Sequence, residues 1–152
     1  MDPLSDVLRA VRLDGAYFYF VEAAKPWSVA AAPARELSPR ILPDAEHLVS
    51  YHILVRGSCW AGVAGQAQVR MEPGDVVVFP HGDAYLISST GDARDTALRL
   101  ANSPARYPTT VRLGPNVSRD TKFVCGFLAC DARPFNPLLA SLPRLMHVRG
   151  GA

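Results

Sequence analysis

Cysteine, excess charge of either sign and long apolar runs are all scarce in this chain. Its three cysteines, Cys59, Cys125 and Cys130, form no CxxC pair, and an odd count argues against the disulfide framework of a small secreted protein. Reduced thiols are expected, at least one of them serving as a small buried hydrophobe. Cys125 and Cys130 lie five apart on one predicted strand, so they point to opposite faces and cannot bridge without a bulge. Sixteen Lys and Arg against fourteen Asp and Glu leave a formal charge of +2 with the basic residues dispersed, which lacks the basic stripe of a nucleic-acid footprint. No apolar run approaches a membrane span, and Met1-Asp2-Pro3 is not the start of a signal peptide, so a soluble cytoplasmic protein with no membrane partner is expected. GxSxG, HExxH, P-loop and GxGxxG motifs are missing, and most Asp and Glu fall in predicted turns rather than as facing carboxylate pairs.

What is present is apolar and β-forming. With 152 residues, 49% apolar and 20% charged, the chain suits one folded domain spanning 1–152. Leu4, Val7, Leu8 and Val11 recur at helical spacing, predicting an amphipathic helix over residues 3 to 12 with Asp2 as cap, Pro3 at its first position and Gly15 as its stop. Beyond it, Ala16 to Val21 reads as a strand with Tyr17, Tyr19 and Val21 on one face and Phe18 and Phe20 on the other. Trp27 to Ala30 reads as a second, followed by a proline-bearing segment from Ala31 to Pro43. From His47 the strands come at intervals of 8 to 12 residues, as expected for a sandwich or barrel: His47 to Val55, Ser58 to Val63, Ala67 to Met71, Thr109 to Leu113 and Thr121 to Cys130. The polar stretch Ser89 to Pro108 is predicted as a long loop, a short helix is predicted from Phe135 through Leu142, and Leu145-Met146-His147-Val148 closes the chain.

The most informative stretch runs from Met71 to Ser89. Pro73 and Gly74 suit a type II turn, and Val76-Val77-Val78-Phe79 fits a strand buried on both faces. Pro80 to Asp83 then turns the chain into a strand with Tyr85 and Ile87 on one face and Leu86 on the other.

Alternation places His52 with Leu54, Tyr85 with Ile87, and Cys125 with Phe123 and Phe127 on a shared inward face. His52, Leu54, Tyr85, Ile87, Cys125 and Phe127 are the candidate pocket residues. Histidine and thiolate are good zinc or copper ligands and a tyrosine oxygen a poorer one, so His52 and Cys125 are the candidate metal ligands. The competing reading is a hydrogen-bonded core histidine with no cofactor. A redox role for Cys125 needs a basic neighbour, for which Arg56 and Lys122 are available. His47, His81 and His147 read as solvated or capping residues. An interior of aromatic and aliphatic side chains suits a ligand pocket better than a reaction centre, so no catalytic residue is named.

Gly74, five residues, Pro80, one residue, Gly82, two residues and Tyr85 together resemble the second motif of the cupin superfamily, in which most metal-binding members carry a ligating histidine where Tyr85 stands. His52 lies where a first-motif histidine would, but Ser50, Leu54 and Arg56 occupy its companions' positions. The ordered blocks Asp2 to Leu8, Tyr51 to Trp60, Pro73 to Gly82, Val124 to Phe127 and Asn136 to Pro143 resemble, over nearly the whole chain, the N-terminal cupin-like sensor domain of AraC-type transcription regulators. That resemblance implies a mainly β, double-stranded β-helix (jelly-roll) barrel with a short N-terminal and a short C-terminal helix. It further implies a small-molecule effector in the barrel, a homodimer, and DNA contacted only through a C-terminal domain with two helix-turn-helix motifs that this chain does not contain. The rival implications are a metal-dependent cupin enzyme, an isomerase or dioxygenase, or a thiol or metal redox sensor using His52 and Cys125.

Overall fold

The computed structural model describes residues 13–91, 98–99, 110–130 and 137–151. The helix predicted over residues 3 to 12 lies outside them. β1 (Leu13–Ala23) is followed by β2 (Ser28–Ala31), α1 (Ala34–Ile41), β3 (His47–Arg56), β4 (Cys59–Val63), β5 (Val69–Met71), β6 (Val76–Phe79) and β7 (Tyr85–Ser88). β8 (Leu98–Arg99), β9 (Thr110–Leu113), β10 (Thr121–Cys130), α2 (Pro137–Ser141) and β11 (Met146–Val148) complete the order. The strands form a six-stranded sheet, β11-β6-β3-β10-β1-β9, and a five-stranded sheet, β5-β4-β7-β2-β8. This is the expected mainly β jelly-roll with short helices. Among the described residues, no helix is long and apolar enough to cross a membrane.

Alternation along each strand builds the core between the sheets. One sheet contributes Leu48, Leu54, Phe79 and Phe123, and the other contributes Met71, Ala61 and Ile87, all buried. Fully burying side chains of this size stabilises the fold by about 1.5–3 kcal/mol each. The outer face of the six-stranded sheet carries apolar rows across five of its strands, bordered by Thr110 of β9 and by the charged row of Glu22, Arg112, Lys122 and Arg56. Register aligns Phe20, Val124, Ile53, Val76 and Val148 in one row across five strands. The next row holds Phe18, Gly126, Tyr51, Val78 and Met146.

Four expectations change here. Gly15 does not stop a helix; it lies within β1 opposite Ala129, at a register irregularity between Leu13 and Gly15. The segment from Ala31 to Pro43 contains α1, despite Pro39 inside it. The helix is only two turns long and Ala34, Leu37 and Ser38 dock into the core, so tertiary contact outweighs a weak local signal. β6 is buried on one face only: Val77 and Phe79 are inside, while Val76 and Val78 stay partly exposed. The predicted Ser89 to Pro108 loop carries β8, whose Leu98 and Arg99 pair in parallel with Val29 and Ala30.

The turn before β6 is a structural anchor. Gly74 takes φ 93°, and the Asp75 N–H donates to the Glu72 carbonyl at 3.0 Å, closing the predicted turn. The Asp75 carboxylate accepts from the Glu72 N–H at 3.0 Å, from the Gly150 N–H at 2.9 Å and from His147 Nε2 at 2.8 Å. The Glu72 amide, together with the Gly150 amide and the His147 imidazole, holds the Asp75 carboxyl down at about 2 against the opposing effect of burial. The returning backbone lies so close that a Cβ on Gly150 would stand 2.2 Å from the Gly74 carbonyl carbon. His147 is thus an internal tether rather than a solvated residue. His47 Nε2 donates to the Pro80 carbonyl at 2.6 Å, and the exposed His81 donates to the Leu142 carbonyl at 2.6 Å.

Candidate functional site

Strand register brings the candidate residues together. His52 on β3 stands opposite Cys125 on β10 and Val77 on β6, with Leu54 opposite Phe123 and Ser50 opposite Phe127 and Phe79. Tyr85 opens β7 in the other sheet, directly after the turn in which Gly82 takes φ 70°, where a Cβ would stand 2.7 Å from that of Ala34. Its hydroxyl crosses the core to His52 Nε2 at 2.7 Å and also hydrogen-bonds Ser50. The Phe79 ring stacks on Tyr85 with centroids 3.9 Å apart and planes 5° from parallel. The His52 ring meets Tyr85 edge-on at 5.1 Å.

Burial sets the protonation states. Desolvation pushes His52 down to about 3, so the imidazole is neutral at physiological pH. It also pushes the Tyr85 hydroxyl and the Cys125 thiol up, the latter offset in part by a hydrogen bond from Tyr19, and lifts Cys59 to about 12. A neutral imidazole presents one donor and one acceptor nitrogen. Nε2 is engaged by Tyr85, whereas buried Nδ1 has no hydrogen-bond partner among the described residues, and neither has the buried Trp27 Nε1.

Both of those side chains line a cavity of about 20 Å³ between the sheets, together with Tyr19, Val21, Val29, Ile87, Leu113, Phe123 and Cys125. That volume holds about one water molecule and is far below the ~300 Å³ of a drug-sized pocket. Of the residues named from sequence, His52, Ile87 and Cys125 line it, while Leu54, Tyr85 and Phe127 are buried away from its lining. The residues missed are Tyr19, Val21, Trp27, Val29 and Leu113. Alternation had already placed Tyr19 and Val21 on a common face, but which face turned inward depended on the pairing of β1 with β10. Trp27 sits at the cavity because its backbone is tied to Ser89, whose N–H donates to the Trp27 carbonyl at 2.9 Å; a contact 62 positions apart has no local signal.

As a metal centre the constellation is poor. Among the described residues no three or more His, Cys, Asp or Glu side chains gather. His52 and Cys125 are cross-strand partners, but His52 Nε2 is already hydrogen-bonded and the Cys125 thiol is held protonated. This donor set does not fit a closed four-ligand zinc site. The basic neighbours available in sequence do not activate the thiol either. Lys122 lies with its ammonium 5.9 Å from the Phe20 ring on the outer face, and Arg56 donates to the Arg119 carbonyl at 2.9 Å.

No match to the chain was found among curated proteins. A family model described as Cupin matches residues 2–152. Since that match takes in both sheets and the turn that anchors β6, this chain belongs to the cupin family.

Proposed function

We propose that the chain is the sensor domain of an AraC-type transcription regulator, taking a small effector between its sheets without a resident metal and without catalysis. The observation that carries this reading is the apolar cavity flanked by two buried polar atoms, Trp27 Nε1 and His52 Nδ1, that have no hydrogen-bond partner among the described residues. An orphaned buried polar atom is destabilising by about 1–3 kcal/mol, so a ligand that satisfies both gains binding energy from them. Such a ligand accepts a hydrogen bond from the indole and offers an apolar body to Val29, Ile87 and Phe123. Because the resting cavity is so small, binding selects a more open arrangement of the two sheets, and the shift in population is the signal. In a longer chain, a pair of helix-turn-helix motifs would read that signal out on DNA.

Thermal-shift screening against small aromatic and metabolite libraries, followed by calorimetry on hits, tests the site. Hits should lose at least tenfold in affinity in Ile87→Trp, which fills the cavity. A library without hits, or hits indifferent to that substitution, removes the reading. The regulator context is tested by the reading frame after the Ala152 codon: paired helix-turn-helix motifs there support it, and their absence removes the DNA-binding half.

A further inference from the structure

The hydrogen bonds behind the cavity have a direction that can be followed atom by atom. Tyr85 has one hydroxyl hydrogen and two neighbours for it, Ser50 and His52 Nε2, the latter at 2.7 Å. Burial raises the Tyr85 hydroxyl and the Cys125 thiol adds to this, whereas the Ser50 hydrogen bond opposes both. A hydrogen bond that favours the ionised oxygen is one donated to it, so the Ser50 hydroxyl donates to Tyr85. The Tyr85 O–H then goes to His52, which makes Nε2 the acceptor. A neutral imidazole carries its one hydrogen on the other nitrogen. His52 Nδ1 is therefore an N–H, and Trp27 Nε1 is a donor in any case. Both atoms are buried, and neither has a hydrogen-bond partner among the described residues.

Two buried donors thus border one cavity, and the residues lining it include no Lys, Arg, Asp or Glu. A carboxylate bound there would be a charge without a counter-ion, because burial holds His52 neutral. An ammonium would bring more donors to a site that already has two in excess. Given the effector reading above, on which this depends, we infer that the cavity takes an uncharged carbonyl compound (a ketone, aldehyde, lactone or ester) with a compact apolar body, its oxygen accepting from Trp27 Nε1–H and His52 Nδ1–H. A carbonyl oxygen offers a lone pair to each donor and brings no hydrogen that needs an acceptor of its own. The space holds about one water molecule, so one oxygen serves both donors, and the apolar body opens the sheets against Val29, Ile87 and Phe123.

Three probes of one shape test the class on the full chain at neutral pH: acetophenone, benzoate and α-methylbenzylamine, which is an ammonium ion there. By calorimetry, acetophenone should bind at least about tenfold more tightly than either ion. Trp27→Phe keeps an aromatic ring and removes the N–H, and His52→Leu removes the other donor; each should weaken acetophenone by about fivefold with the melting temperature retained. In infrared difference spectra, the carbonyl band of bound isotope-labelled acetophenone should lie below its position in hexane and move back toward it in Trp27→Phe. Unaltered affinity in both variants overturns the role of the two donors. Either ion binding as tightly as the ketone, and excluded by Ile87→Trp, overturns the carbonyl class while the effector cavity stands. Probes that bind Ile87→Trp as they bind wild type overturn the cavity reading and the class together. Absence of binding by acetophenone overturns the class alone, since hits from the wider library still decide the cavity.

Discussion

Mild acid should destabilise this domain through one buried side chain. His52 is 3% exposed and its imidazole is held neutral down to about 3, against an ordinary value of 6.5. The unfolded chain therefore binds a proton that the folded chain refuses. The stability this contributes is fully present above pH 6.5 and is lost as pH falls through the window toward 3, at about 1.4 kcal/mol per pH unit. Between pH 6.5 and about 4.5 the loss amounts to ~2.7 kcal/mol, a large share of a typical domain's 5–15 kcal/mol. Asp75 does not contribute in that window, since its loss of stability begins only near the ordinary carboxyl value of 3.8 and runs down to about 2. Urea denaturation at several pH values in wild type and His52→Leu isolates the effect. Leu removes the titrating group together with an orphaned nitrogen, and Tyr85 keeps its Ser50 partner, so the variant should lie within about 1 kcal/mol of wild type at neutral pH. Its stability should then stay flat where that of the wild type falls. Parallel curves for the two proteins down to about pH 4.5 would refute the assignment of a desolvated, uncharged His52.

The remaining expectations are shorter. Asp75→Ala removes an acceptor used by two backbone amides and His147, and should destabilise the domain by about 3 kcal/mol while raising hydrogen exchange selectively at Met146 to Gly150. All three thiols are buried, with Cys59 and Cys125 held protonated, so a thiol reagent at neutral pH should label the native protein only at the rate of unfolding; fast labelling of Cys125 would reinstate a redox-sensing role. Gly114→Ala puts a Cβ 1.9 Å from the Ala24 carbonyl oxygen at φ 79°, and should lower stability by at least about 2 kcal/mol in thermal melts.

Local chemistry was legible where neighbours in sequence decide the outcome. Pro73 and Gly74 announced the turn that Asp75 closes, and alternation correctly turned His52, Tyr85, Ile87 and Cys125 inward. What stayed hidden depends on pairing between distant strands. Trp27 reaches the cavity through Ser89, His147 finds Asp75 across 72 positions, and α1 is held by docking of Leu37 rather than by its own propensity. The pocket's size was equally invisible, because the volume left between two sheets follows from how side chains from six strands and a connection interdigitate.

β6 is four residues long, and its neighbours give it a mechanical position that neither face alone would reveal. Phe79 at one end lies flat against the tyrosine that meets His52; Val76 at the other follows directly on the aspartate that clamps the final strand. The strand is therefore a short rigid rod with the cavity's polar contact at one tip and the grip on the chain's last residues at the other. Tilting it by an ångström would loosen both together, so the interior and the C-terminal end share one lever.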